Sequence, residues 1–324
     1  MKAIQCVEWG GPEKLRLAEL PLPEPSAGEV RIRVGAAGVN FPDALIIQKK
    51  YQVQPPLPFV PGTEVAGTVD AVGAGVSRLK PGDRVVAFVG IGGFAEYVCA
   101  AQAQVAPLPP NVDVAIAAGF TLTYATSQHA LVDRGRLMAG ETLLVLGAGG
   151  GVGLAAVELG KLAGARVIAA ASSSEKLEAA RQSGADATID YSATDLREAV
   201  KAATDGRGVD VVYDPVGGAY AAAALRSLAW RGRLLIVGFA AGEIPQIPAN
   251  LLLLKEISAV GVYWGEFAKR DPAGNRALLT QLFGWLAEGR LRPRAPASYP
   301  LEQTAAALQD LLDRRAVGKL VILP

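Results

Sequence analysis

Between Thr142 and Gly153 the chain reads Thr-Leu-Leu-Val-Leu-Gly-Ala-Gly-Gly-Gly-Val-Gly, an apolar run that breaks into glycines. Glycines at such a turn let the backbone approach a pyrophosphate, and the N–H groups that open the next helix meet its charge. The strict G-x-G-x-x-G spacing is not met; the best register is Ala148-x-Gly150-x-x-Gly153, with alanine in the first place. The turn stands between a predicted strand and a predicted helix, with further alternating units behind it. Gly149, Gly150, Gly151, Val152 and Gly153 are therefore read as a dinucleotide cradle, against the plainer reading of a tight turn between packed elements.

The next choice is between NAD and NADPH. An acid about 20 positions on would take the ribose 2′-hydroxyl of NAD. At that place stand Ala170-Ala171-Ser172-Ser173-Ser174-Glu175-Lys176, with no acid at the predicted strand end. Ser172, Ser173 and Lys176 suit a 2′-phosphate, so NADPH is the expected cofactor. Glu175 is read as the capping-box partner of Ser172 in the first turn of the next helix, and simple capping is the other reading of the serines. Arg181 is expected on a solvated face.

Other chemistries are closed off by what the chain lacks. It has one histidine, His129, and two cysteines, Cys6 and Cys99, among 324 residues, which excludes a disulfide scaffold and a zinc site of several Cys and His ligands. His129 is assigned to helix packing rather than proton transfer. Lys and Arg number 32 against 31 Asp and Glu, a net charge of +1 that offers nucleic acid no basic footprint. Hydrophobic residues make up 51% and charged residues 19%, enough to bury a large core. No apolar run reaches the roughly 18 residues of a membrane span, and Met1 to Gly11 does not read as a signal peptide. A cytoplasmic protein of two domains is expected.

The elements that must position these residues follow from punctuation and period. Residues 2–7, 29–39, 63–72, 84–89 and 94–99 read as strands separated by Gly and Pro, and Pro21, Pro23 and Pro25 as an extended linker. The segment holding Pro55, Pro56, Pro58 and Pro61 should be irregular. From about residue 113 strands and helices alternate: strands at 142–146, 166–170, 187–189, 209–213 and 233–238, helices at 152–163, 174–183, around 195–203 and at 220–229, the last stopping at Gly232. Nearly all-apolar strands in this order indicate a parallel sheet covered on both faces. Two amphipathic stripes follow, Leu278 to Leu286 and Leu301 to Leu312, and Lys319 to Leu323 closes as a short strand returning to the first domain.

With these motifs in order, the chain resembles the medium-chain dehydrogenase/reductase superfamily, and within it the zinc-free quinone oxidoreductases. The resemblance rests on Gly38-Val39-Asn40-Phe41-Pro42-Asp43, Pro61-Gly62-Thr63-Glu64-Val65-Ala66-Gly67, Lys80-Pro81-Gly82-Asp83-Arg84-Val85, the glycine cluster, Asp214-Pro215-Val216-Gly217-Gly218 and Gly318-Lys319. It implies an α/β protein with a GroES-like β-rich substrate domain at 1–115, a Rossmann doubly wound parallel-sheet domain at 116–265 and a C-terminal return at 266–324. Where zinc enzymes of the superfamily place Cys and His ligands, this chain has Asn40 and Thr63, and after Phe88 only Val89 to Gly93 stands for their cysteine lobe. No metal is expected.

The resemblance implies that Asn40 and Thr63 lie in the cleft and orient the acceptor, Asn40 close to the nicotinamide. It places Thr123 near the cofactor, Lys176 and Tyr191 at the adenosine end, and Gly238 and Phe239 beside the carboxamide. Plainer readings stand beside these: Asn40 as a turn residue, Tyr191 as a partly buried surface aromatic, Asp43 as a helix cap or a polar group of the cleft, Trp264 as lining the substrate mouth or as core. Without a Lewis acid the acceptor should be electron-poor, a quinone or an enone. The family often carries tyrosine where this chain has Leu45; that role is vacant or has moved to Tyr51, and enone or enoyl-thioester reduction gains weight. A non-catalytic NADPH-binding protein is the remaining alternative. The apolar strand expected at Ile257 to Trp264 implies a homodimer paired through that edge.

Overall fold

The protein is described by a computed structural model covering all residues, 1–324. Two compact units emerge: Met1–Leu122 with Leu279–Glu288 and Ala295–Pro324, and Thr123–Leu278 with Gly289–Arg294. The division falls within two helices, α2 and α9 below, whereas the sequence places its boundaries at 115 and 265. A continuous helix carries no punctuation to mark where its neighbours change.

The first unit opens with the antiparallel pair β1 (Lys2–Cys6) and β2 (Leu15–Glu19). Then come β3 (Glu29–Val39), helix α1 (Phe41–Ile47), β4 (Glu64–Val72), β5 (Arg84–Phe88), β6 (Tyr97–Ala101), β7 (Val105–Pro107) and α2 (Val114–Gln128). The second unit continues with β8 (Thr142–Leu146), α3 (Gly151–Leu162), β9 (Arg166–Ala171), α4 (Ser174–Gln182), β10 (Ala187–Asp190) and α5 (Leu196–Ala203). It goes on through β11 (Val209–Asp214), α6 (Gly218–Arg226), β12 (Leu228–Ile236), α7 (Ala249–Lys255), β13 (Ser258–Gly261), α8 (Trp264–Arg270) and α9 (Pro272–Ala287). The chain closes with β14 (Ala297–Pro300), α10 (Thr304–Leu312) and β15 (Leu320–Leu323).

In the first unit the sheet runs β14-β15-β3-β4-β5-β7, with β6 also on β3. This is the GroES-like part, and its core is the inward set of alternating strand residues: Val30, Ile32 and Val34 on β3, Val65 and Val69 on β4. The last strand returns to it in register: Leu320 faces Val39 and Val321 faces Gly38. The residue before β15, Lys319, is thereby brought to Asn40.

In the second unit six parallel strands take the order β10-β9-β8-β11-β12-β13. Numbered from the first of them this is 3-2-1-4-5-6, the doubly wound Rossmann arrangement, whose strand order reverses between β8 and β11. Both faces are covered, which is why all five residues of β8 are buried.

Several elements differ from their expected bounds. The strand expected at 94–99 forms at Tyr97–Ala101, because Phe94 is held in a turn, its N–H on the Pro61 carbonyl. The alanine-rich helix ends at Arg226 rather than Ala229. Leu228 and Ala229 turn into the core, Leu228 pairs with Val209, and the strand expected from Arg233 begins there. Gly232 thus lies inside β12, within a register shift, instead of stopping a helix. The strand expected over Ile257–Trp264 is only Ser258–Gly261; Trp264 opens α8, buried, with its indole N–H on Asn275 Oδ1 at 2.9 Å. Of its two readings, core is the one observed. No helix is long and apolar enough to cross a membrane.

Candidate functional site

The second unit holds the nucleotide half. At the switch point β8 ends in Leu146, and the chain turns through Gly147, at φ 58°, before α3 starts. The turn can be made only of glycine where backbone crosses backbone: a Cβ on Gly153 would stand 2.2 Å from the Gly147 carbonyl oxygen. On Gly149 a Cβ would stand 2.4 Å from Lys176 Cβ, so the lysine stem lies flush against the turn. The N-cap of α3 is Gly150, and no side chain caps the helix. Its leading N–H groups, with the positive end of the helix dipole, form an anion cradle that fits a pyrophosphate. Beneath it Ser127 of α2 donates to the Val152 carbonyl at 3.0 Å and so accepts from Tyr213 Oη at 2.9 Å. Burial pushes the Tyr213 phenol up, so it stays neutral. Ser127 and Tyr213 escaped the sequence reading because their only signal is contact across three elements.

Around the cradle, β9 ends in Ala171 with no acid. Ser172 is exposed, and Ser173 caps α4 by accepting the Lys176 N–H, so the capping residue stands one place later than expected and Glu175 is not its box partner. Extended backbone at Ser173, φ −156°, is what aims its hydroxyl at the helix end. Tyr191 is half-buried and packs on Tyr220 with ring centroids 4.3 Å apart. Gly238 and Phe239 follow β12 beside the Asp214-Pro215 turn; Gly238 N–H donates to the Asp214 carbonyl, and Phe239 packs on Gly217. Thr123 is buried on α2. Arg181 is exposed and pairs with Glu178, and His129 stacks on Phe267 with centroids 4.4 Å apart while Nδ1 meets Asp133.

The first unit holds a buried polar cluster. Asn40 follows β3 and caps α1, where Asp43 Oδ2 accepts its N–H at 2.8 Å. Its amide Nδ2 donates to Thr63 Oγ1 at 3.1 Å and to Glu64 Oε1 at 2.9 Å, and its Oδ1 accepts from the Lys319 ammonium. Thr63 is held by its own carbonyl, which accepts the Val89 and Gly90 N–H groups at 2.9 and 3.1 Å. Glu64 Oε1 is ion-paired to Lys319 at 2.8 Å, and its Oε2 accepts the Leu122 N–H at 2.7 Å. Asn40 and Thr63 were anticipated together; Glu64 and Lys319 appeared only as landmarks. Their signal was visible, a charge opening an otherwise apolar strand. Both amide hydrogens of Asn40 are engaged, and the Thr63 hydroxyl, which accepts one of them, also stands beside the Asp43 carboxyl. Leu45 is half-buried, and Tyr51 packs against the first unit's core. No group of three or more His, Cys, Asp and Glu is placed to hold a metal ion.

Comparison with known proteins accords with both halves. The family described as "Zinc-binding dehydrogenase" matches residues 151–279, and "Alcohol dehydrogenase GroES-like domain" matches residues 26–110. The chain is 40% identical over 328 residues to "Quinone oxidoreductase-like protein 2 homolog" of Nematostella vectensis, covering 99% of this chain and 88% of that one. It is 37% identical over 325 residues to "Quinone oxidoreductase" of Pseudomonas aeruginosa, covering 100% and 99%. Among solved structures, the Escherichia coli quinone oxidoreductase complexed with NADPH superposes with a TM-score of 0.93 at 29% identity, over 100% of both chains.

Proposed function

Because this chain belongs to the quinone oxidoreductase family of the medium-chain dehydrogenase/reductase superfamily, we propose that it is a metal-free, NADPH-dependent reductase that passes reducing equivalents to quinones. The observation that carries the cofactor choice is the Lys176 stem laid on Gly149 at a cradle whose preceding strand ends without an acid. In this reading the uncapped N–H groups of α3 hold the pyrophosphate, and Lys176, with Ser172 and Ser173, takes the 2′-phosphate. NADPH supplies a hydride when bound. Gly238 and Phe239 flank the carboxamide, Tyr191 the adenosine, and Thr123 the nicotinamide side. Asn40 holds Thr63, and Thr63 offers its hydroxyl hydrogen to the acceptor oxygen as charge gathers there. The enzyme works in the cytoplasm as a homodimer.

One observation favours a second reading. Leu45 leaves an apolar side chain where relatives often have tyrosine, which suits an enone as much as a quinone. The deciding experiment follows loss of the reduced-nicotinamide absorbance with para-benzoquinone, phenanthrenequinone, an alkenal and crotonyl-CoA, with NADPH and NADH in parallel. Turnover of quinones with NADPH alone is the expected result. Preference for the alkenal or the thioester would move the function to enone reduction. Tight NADPH binding without turnover of any acceptor would make the chain a non-catalytic binder.

A further inference from the structure

The first unit buries two carboxyl groups, Asp43 and Glu64, both 0% exposed, and one ammonium, Lys319, serves the cluster. The donors are shared unequally. Glu64 receives Lys319, the Asn40 amide and the Leu122 N–H. Asp43 receives the Asn40 N–H on Oδ2 with the Thr63 hydroxyl beside it, and no donor stands within hydrogen-bond distance of its buried Oδ1. A carboxylate at Asp43 would be a fully buried charge with no cation of its own, which favours its protonated form. Burial first, and Glu64 further, push the Asp43 carboxyl up to about 7; the Asn40 N–H, the Lys319 ammonium and the Thr63 hydroxyl oppose the rise. Helix α10 also packs on α1, but its Asp310 is engaged with Tyr299 and Arg315.

Thr63 therefore has two possible acceptors for one hydrogen. Its oxygen already accepts from Asn40. An ionised Asp43 attracts its hydroxyl hydrogen inward, whereas a neutral Asp43 has no charge to draw it. We propose that Asp43 is a positioning residue of the acceptor site: while it keeps its proton, Thr63 directs its hydroxyl at the acceptor, and when the proton is lost the carboxylate captures that hydroxyl. This rests on the reading above in which Thr63 meets the acceptor.

Two measurements test it. In the intact protein without cofactor, the Asn40 backbone amide resonance reports the charge on Asp43, to which it donates. Its midpoint is expected near neutrality; a midpoint in the ordinary aspartate range near 4 would overturn the proposal. In turnover, kcat with a quinone is expected to fall severalfold as pH rises from about 6 to about 8.5, with little change in KM, because the hydroxyl contact is strongest in the transition state. Asp43→Asn should abolish that fall, whereas a structural defect would lower the rate at every pH and leave the slope. An unchanged slope in the variant would sink the proposal. If the variant does not fold, the wild-type comparison decides: coincident amide and kcat midpoints support it, and separated midpoints overturn it. Absence of turnover with every acceptor would remove the functional reading and this one with it; turnover with a slope indifferent to Asp43 would remove this one alone.

Discussion

Lys176 and Thr63 are the side chains on which the proposed chemistry depends; Thr63 is buried, and its hydroxyl accepts from the Asn40 amide. Lys176 lies on the glycine turn by its stem, and in the proposed reading its ammonium recognises the 2′-phosphate. Lys176→Ala is expected to raise the KM for NADPH by about ten- to a hundredfold, the worth of a charge-assisted hydrogen bond, and to leave that for NADH nearly unchanged. Equal losses with both cofactors would mean the lysine does not read the 2′-phosphate. Thr63→Val keeps the shape and removes the hydroxyl, so kcat with quinones should fall by about a hundredfold while cofactor binding holds. Gly153 is a residue defined by what it lacks. Gly153→Ala would drive a Cβ to 2.2 Å from the Gly147 carbonyl, which is backbone and cannot give. A loss of about 1–3 kcal/mol is expected in urea unfolding, with NADPH binding impaired alongside.

At the scale of elements, α1 carries an unusual cap. A capping carboxylate ordinarily stabilises a helix as an anion, but Asp43 is fully buried beside Glu64, and its carboxyl is pushed up to about 7. The consequence for stability has a definite sign. The folded value lies above the unfolded value near 4, so the folded protein holds the extra proton between them. Asp43 therefore contributes stability that is full below about pH 4 and is lost as pH rises through about 7. Asp43→Asn retains an acceptor for the Asn40 N–H without the charge. It should be more stable than the wild type near pH 8, by up to a few kcal/mol, with the gap closing in acid; chemical unfolding at both pH values measures it. Ser173 caps α4 more conventionally, and Ser173→Ala should cost about 1 kcal/mol.

The whole molecule leaves one face of the second unit unfinished. The edge strand β13 has three exposed residues of four, and nearby in sequence Leu253 and Leu254 of α7 are 78% and 67% exposed. An apolar edge of this kind is an aggregation hazard unless a second copy covers it. The proposed homodimer is tested by gel filtration with light scattering at low micromolar concentration; a monomer there would dispose of it.

Much of this molecule is determined locally. The parallel sheet was legible because buried strands are apolar throughout, and the cradle because glycine is required where backbone meets backbone. Asn40 and Thr63 were identified by their place in motifs, and the missing acid after β9 by counting along the chain. Local sequence did not show which serine caps α4, where the alanine-rich segment stops being helix, or that Trp264 is core. Those depend on what packs against each residue: Leu228 enters β12 because a core awaits it, and Ser173 caps because its backbone is extended there. Above all, the sequence links Asn40 to Asp43 through one helix cap but holds Glu64 and Lys319 apart from them. The pairing of β3 with β4 sets Glu64 beside Asn40, and the register that returns β15 to β3 adds Lys319, which makes one buried cluster with two carboxyls for one ammonium, where burial pushes the Asp43 carboxyl up.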